Sequence, residues 1–163
     1  MINVESLRGM IAEELKAWDQ PSISVGIVKD GKVELAEGFG YANMDKQVKP
    51  DPDTLYQIGS CSKAFTAAAV AILVDRGILE WDKPVVSYMP WLRFKEPFTT
   101  ANVIVRDLLC HRTGLPRHDA YWIDGPCTRK EMVENLRNMQ PGWSFRSHWC
   151  YQNTCIVAAG MLV

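Results

Sequence analysis

Ser60-Cys61-Ser62-Lys63, followed by the apolar run from Ala64 to Leu73, is the stretch on which the reading of this chain turns. The run predicts one buried helix. If Ser60 is its first residue, just after Gly59, residues three apart share a face, and the Lys63 amine comes to lie near the Ser60 hydroxyl. A helix N-terminus offers free N–H groups and a positive end, which favour negative charge developing at Ser60 and disfavour a charged amine at Lys63. Desolvation by Ala67, Ala68, Val70, Ala71, Ile72 and Leu73 acts in the same direction on the amine. A neutral amine beside a hydroxyl can take its proton, so the pair has the makings of an activated nucleophile. Ser-x-x-Lys also arises wherever a serine caps a lysine-bearing helix. Here Lys63 is the only charge between Asp53 and Asp75.

A second chemical motif, Tyr151-Gln152-Asn153, stands just before the apolar run Ile156 to Val163. Taken alone, Tyr-x-Asn is common. In a reaction at Ser60, however, some group must hand a proton to the leaving atom, and a phenol beside a cation can do so.

Four blocks in order resemble the serine β-lactamase and penicillin-binding protein superfamily, in particular its class C and CubicO-type branch. They are Ile58-Gly59-Ser60-Cys61-Ser62-Lys63-Ala64-Phe65-Thr66; Gly77-Ile78-Leu79 through Asp82-Lys83-Pro84-Val85; Val105-Arg106-Asp107-Leu108-Leu109-Cys110-His111-Arg112-Thr113-Gly114-Leu115; and Tyr151-Gln152-Asn153. The resemblance covers the chain from about Ser22 to its end. It implies an α/β fold of the β-lactamase/transpeptidase type, an antiparallel sheet with flanking helices plus a helical subdomain, truncated before the C-terminal strands. It also implies a serine hydrolase working through an acyl-enzyme on an amide, lactam or ester. Ser60, Lys63 and Tyr151 would be catalytic, with the Asn153 amide contacting the lysine and the substrate. No metal or organic cofactor is called for.

The bulk properties fit. At 163 residues, 47% hydrophobic and 23% charged, the chain can bury a sizeable core. Its net charge of -1 leaves no basic surface for nucleic acid. No apolar stretch approaches the roughly 20 residues of a membrane span. Met1 to Ser6 has no basic region leading into an apolar run, and the five cysteines, Cys61, Cys110, Cys127, Cys150 and Cys155, are odd in number; both point to reduced thiols in the cytoplasm. The partner expected is a small-molecule or peptide substrate.

In chain order, Leu7, Met10, Ile11, Leu15 and Trp18 recur at helical spacing, and Asp19-Gln20-Pro21 closes that first helix. Ser22 to Lys29, the turn Asp30-Gly31, and Lys32 to Tyr41 read as a β-hairpin. These elements make a first part, 1–42, of one partial domain spanning 1–163. A proline-bearing loop from Ala42 to Thr54 leads to the active-serine helix and helical subdomain, 54–163. Gly77 fits a left-handed helix cap, Asp82-Lys83-Pro84 opens a short helix, and Pro90 to Thr100 reads as loop, with Trp91, Phe94 and Phe98 packing on the body. Val105 to Arg112 is a further helix. Thr128-Arg129-Lys130-Glu131 is a capping box ahead of Met132, Val133, Leu136 and Met139.

Several tempting sites are set aside. Arg112-Thr113-Gly114 resembles the superfamily's Lys-Thr-Gly element but precedes Tyr151 and sits at a helix end. His111 reads as a structural group bonding loop backbone. His118-Asp119 beside Trp122 is either surface loop or the rim of a cleft. His148, Cys150 and Cys155 match no standard zinc spacing, and Cys61 points about 100° round the helix from Ser60.

Against the family pattern, Ile104 replaces a helix-capping threonine, Cys110 a serine, and Gly160-Met161-Leu162-Val163 stands where later strands would follow. The expectation is an incomplete oxyanion hole, a fragment weak or inactive alone, and a hairpin edge open to self-association. The alternative is a non-catalytic truncated homologue that acts as a binding or interaction protein.

Overall fold

The computed structural model describes residues 3–119, 121 and 127–163. Trp122, named above with His118 and Asp119, lies outside them. The chain divides into two compact units, Met1–Gln57 and Ile58–Val163.

In the first unit, α1 spans Val4–Ala17. Asn3 caps it by accepting the Ser6 N–H at 3.0 Å, and Glu5 and Lys16 sit at the ends that suit their charges. Of the expected apolar stripe only Ile11 is fully buried, whereas Met10 and Trp18 stay exposed. The hairpin forms as read: β1, Ser22–Lys29, pairs antiparallel with β2, Lys32–Gly40. Asp30 and Gly31 both take positive φ, the two-residue turn whose twist matches that of the strands. The register runs from Ser22 opposite Gly40 to Lys29 opposite Lys32, with an irregularity after Ile27. Among the described residues this sheet has two strands, so each has one edge without a strand partner.

The second unit begins with a 3-10 turn, Gly59–Cys61, that runs into α2, Ser62–Asp75. Ser60 is therefore in the tight turn before the α-helix and Lys63 in the helix's first turn. Three residues per turn in that lead-in bring positions three apart almost into line. At its far end the Gly77 N–H bonds the Val74 carbonyl and the Ile78 N–H the Leu73 carbonyl, with Gly77 at φ +72°: the left-handed cap expected there. The expectation of a buried helix needs correcting. Only Val70 is fully buried, while Phe65 and Ile72 are 70% and 50% exposed. A helix apolar on all sides buries only the flank that meets a neighbour, here the last helix of the unit.

Prolines account for two further corrections. Asp82-Lys83-Pro84 does not open an α-helix. Pro84 is extended and lies in a bridge opposite Ile104, with the Val85 N–H on the Val103 carbonyl at 2.8 Å, and only a 3-10 turn, Val85–Ser87, follows. Proline has no N–H to give, and its neighbours carry this pairing instead. Asp82 pairs with Arg106 rather than capping. Within the expected Pro90 to Thr100 loop, Pro97 starts a short helix, α3, Pro97–Asn102, because its fixed φ suits a first helical position. Phe94 is buried as expected, but Phe98 is exposed and meets Phe145 edge-on.

Helix α4 is Val105–Leu109, shorter than read, since His111 takes a left-handed backbone with φ 58°. Ile104 has no side-chain oxygen with which to cap it. Half of the cap survives, because Asp107 Oδ2 accepts the Ile104 N–H at 3.0 Å. The capping box at Thr128 and Glu131 forms and opens α5, Arg129–Glu134. The final helix, α6, is Asn153–Gly160. Val70, Val85, Leu92, Val103, Val105, Leu108, Val133, Leu136, Cys155 and Ala158 form the core.

Among the described residues of this unit, Asp107 is the one buried charge. Asp107 is fully buried, and it accepts from Arg112 Nε at 2.5 Å, from Arg146 Nη2 at 2.7 Å and from Arg146 Nε at 3.1 and 3.2 Å. Burial pushes this carboxyl up, but Arg146, the Ile104 N–H and Arg112 outweigh it and hold the group below the usual carboxylate range. A carboxyl lowered by folding contributes stability above its unfolded value of about 3.9 and loses it as the pH falls through the folded one. Asp107→Asn is expected to cost about 3 kcal/mol, the lower end for a broken buried pair because both arginines reach solvent. Urea unfolding followed from neutral pH down to about pH 2 should also show a flatter acid limb in the variant than in the parent chain. An unchanged limb would remove Asp107 from this role.

Candidate active site

Ser60 and Lys63 meet by local geometry: Lys63 Nζ donates to Ser60 Oγ at 3.0 Å. Tyr151 arrives from the segment just before α6, and its hydroxyl donates to the same Oγ at 2.5 Å. Lys63 Nζ also stands 4.6 Å from the centre of the Tyr151 ring. One hydroxyl thus has an amine and a phenol within proton-transfer distance. Lys63 is half-buried rather than enclosed, in keeping with the open flank of α2.

The phenol is electrostatically prepared. Lys63 first, then the bond with Ser60, and also the charge of Arg117 hold it below its ordinary range, against an upward push from burial. Such a phenol gives up a proton more readily than a free tyrosine.

What brings Tyr151 here is a set of backbone ties to the loop after α4. The Cys150 N–H bonds the His111 carbonyl at 2.9 Å, and the Gln152 N–H donates to His111 Nδ1 at 3.1 Å. Burial, and then the Lys63 charge, keep the imidazole below its usual range, in the neutral form that Nδ1 needs in order to accept. The His111 and Tyr151 rings lie 4.6 Å apart, tilted by 35°, and Trp149 meets His111 edge-on. His111 is the structural group that the sequence suggested.

Asn153 is the first residue of α6, half-buried, and its amide makes no hydrogen bond to Lys63 among the described residues. The fold brings Ser60, Lys63 and Tyr151 together, but not the Asn153 amide onto the lysine. Arg112-Thr113-Gly114 is otherwise engaged. Arg112 pairs with Asp107, and the Thr113 hydroxyl lies against Cys155 Sγ at 3.5 Å. Gly114, at φ +86°, offers its carbonyl to the Gly142 and Trp143 N–H groups, and a β-carbon there would stand 2.4 Å from the Trp143 carbonyl oxygen. Burial pushes the Cys155 thiol up to about 12, which leaves it inert. Among the described residues no cluster of histidine, cysteine and carboxylate side chains could hold a metal ion.

Two contributors escape a reading of sequence. Gln152, the unspecified middle residue of Tyr-x-Asn, is fully buried; its amide donates to the Pro116 carbonyl at 2.7 Å and its oxygen accepts the Thr154 N–H at 2.8 Å, capping α6. Its place before an apolar helix was the one available signal, and glutamine is not a usual cap. Arg117 lies over the Tyr151 ring at 5.1 Å. Its neighbours His118 and Asp119 read as surface loop or cleft rim, but nothing in the sequence joins Arg117 to Tyr151.

The β-lactamase family profile matches residues 7–163. The unguisins hydrolase of Aspergillus campestris is 32% identical over 163 residues, covering 94% of this chain and 30% of that protein. The octameric penicillin-binding protein homologue from Pyrococcus abyssi superposes with a TM-score of 0.82 at 31% identity, over 99% of this chain and 38% of that one. The D-amino acid amidase from Ochrobactrum anthropi gives a TM-score of 0.74 at 27% identity, over 91% of this chain and 41% of its own. The chain therefore spans between 30% and 41% of the length of these three relatives. With the profile running from α1 through α6, and with relatives that share the fold at about 30% identity, this chain belongs to the β-lactamase family.

Proposed function

We propose that this chain carries the acyl-transfer half-site of a serine hydrolase, with Ser60 as nucleophile. The observation that carries this reading is the convergence of Lys63 and Tyr151 on one oxygen, at 3.0 and 2.5 Å. Ser60 attacks a carbonyl carbon while Lys63, as the free amine, takes its proton. Tyr151 gives its proton to the leaving atom and regains one from the Lys63 ammonium, so the leaving group departs protonated and an ester remains on Ser60. Water then attacks that ester, releasing the acid and restoring the serine. The kinship with a D-amino acid amidase favours an amide over an ester or lactam as the bond cleaved. Asn153, next along from the Tyr151 segment, is the candidate for contact with the substrate's amide. The chemistry uses side chains already present and calls on no metal or organic cofactor.

Intact-mass analysis after incubation with a fluorescent penicillin and, separately, with an activated ester tests the reading. One acyl adduct is expected on the chain and none on Ser60→Ala, whereas Cys61→Ala keeps most of it. Adduct formation undiminished in Ser60→Ala would overturn the assignment, and no adduct on a chain that unfolds cooperatively would favour the binding-protein alternative. Tyr151→Phe is expected to slow acylation about 100-fold or more while leaving Ser60 as the modified residue. Unchanged kinetics in that variant would remove the proton relay.

A further inference from the structure

Three side chains lie close to the Tyr151 ring. Lys63 reaches it from α2, 4.6 Å from the ring centre, the His111 ring lies 4.6 Å away, and Arg117 covers it from the loop after Gly114 with its guanidinium 5.1 Å from the centre. Ser60 contacts the hydroxyl, and Asp119 faces Arg117, accepting from its Nε at 2.6 Å. Arg117 is not there by the drift of an exposed side chain alone. The buried Gln152 amide bonds the carbonyl of Pro116, which ties the residue before Arg117 to the residue after Tyr151. The Nε bond to Asp119 then orients the fork.

We propose that Arg117 is a positioning residue for the reaction at Ser60: it acts through Tyr151, as a second fixed cation over the phenol ring that favours the deprotonated oxygen, and Gln152 sets its place. This deepens, and rests on, the reading of Tyr151 as the proton relay. The physical warrant is charge. A guanidinium remains protonated throughout the range in which a tyrosine titrates, so unlike an amine it never loses its hold on the phenolate. At this distance, with 55% of its side chain exposed, its influence is partly screened, which makes the expected effect modest. Of the other groups facing the ring, His111 is neutral over that range, and Lys63 is unchanged among the Arg117 variants.

The test is an ultraviolet titration of the tyrosines in the full chain. Tyr151 is resolved by subtracting the curve of the matching Tyr151→Phe protein, which removes the other four of the five tyrosines. In Arg117→Gln the Tyr151 midpoint is expected to rise by about half a pH unit, and in Arg117→Lys to return most of the way. Urea unfolding of each variant checks that the exposed substitution leaves the fold intact. A midpoint that does not move in Arg117→Gln overturns the proposal. So does an equal rise in Arg117→Lys, which would assign the contact to guanidinium packing and not to charge. The titration needs no turnover, so the two failures are distinguishable: an upward shift in a chain whose Ser60 takes no acyl group upholds the action of Arg117 on the phenol but overturns the acyl-transfer reading, and with it any role in a reaction. A static midpoint in a chain that acylates does the reverse.

Discussion

The helical unit depends on the carboxylate of Asp107, because a charge taken wholly out of water must be answered by other charges at hydrogen-bonding distance. The answer comes from two separate segments. Arg112 follows directly on His111, and Arg146 stands five residues before Tyr151, with its own N–H on the Arg112 carbonyl at 2.9 Å. Pulling both arginines onto one buried group draws the two segments side by side, and the ladder then continues outward through Cys150 and Gln152 onto His111. Tyr151 is carried to Ser60 at the end of that ladder. A carboxylate that touches none of the reacting groups thereby governs where one of them sits.

The site itself joins two kinds of order. Ser60 and Lys63 are neighbours by the geometry of a helix entry and need nothing beyond their own turn to meet. Tyr151 is 91 residues away in sequence and meets them only through tertiary ties. The two halves differ in sensitivity for this reason. The serine and lysine are held by backbone hydrogen bonds of one helix, whereas the phenol rests on a buried ion pair, a neutral imidazole and a buried amide, each of which a single substitution can break.

Local features were the most legible ones. The Asp30-Gly31 turn, the Gly77 cap and the Thr128 capping box each depend on residues within a few positions of one another, and each formed as read. The four blocks around Ser60, Asp82, Asp107 and Tyr151 are enough to indicate the β-lactamase-type fold. Pro84 and Pro97 were misread in opposite directions. A proline is equally at home in an extended bridge and at the head of a helix, and the choice was made by Val103 to Val105 in one case and, in the other, by Thr100, whose N–H and hydroxyl both donate to the Glu96 carbonyl. The apolar run of α2 predicts burial, but composition tells how a helix would prefer to be covered, not what is beside it.

By itself, the sequence determined the helix carrying Ser60 and Lys63, their spacing, the hairpin and the family to which the chain belongs. These follow from backbone geometry and short-range hydrogen bonding, which act between residues close along the chain. Only the tertiary structure decided that Tyr151 and not Asn153 reaches the pair, that Gln152 is a buried strut, and that Arg117 lies over the phenol. Those outcomes depend on how buried charges and amides find partners across long stretches of chain, and a linear pattern does not record which partner each one finds.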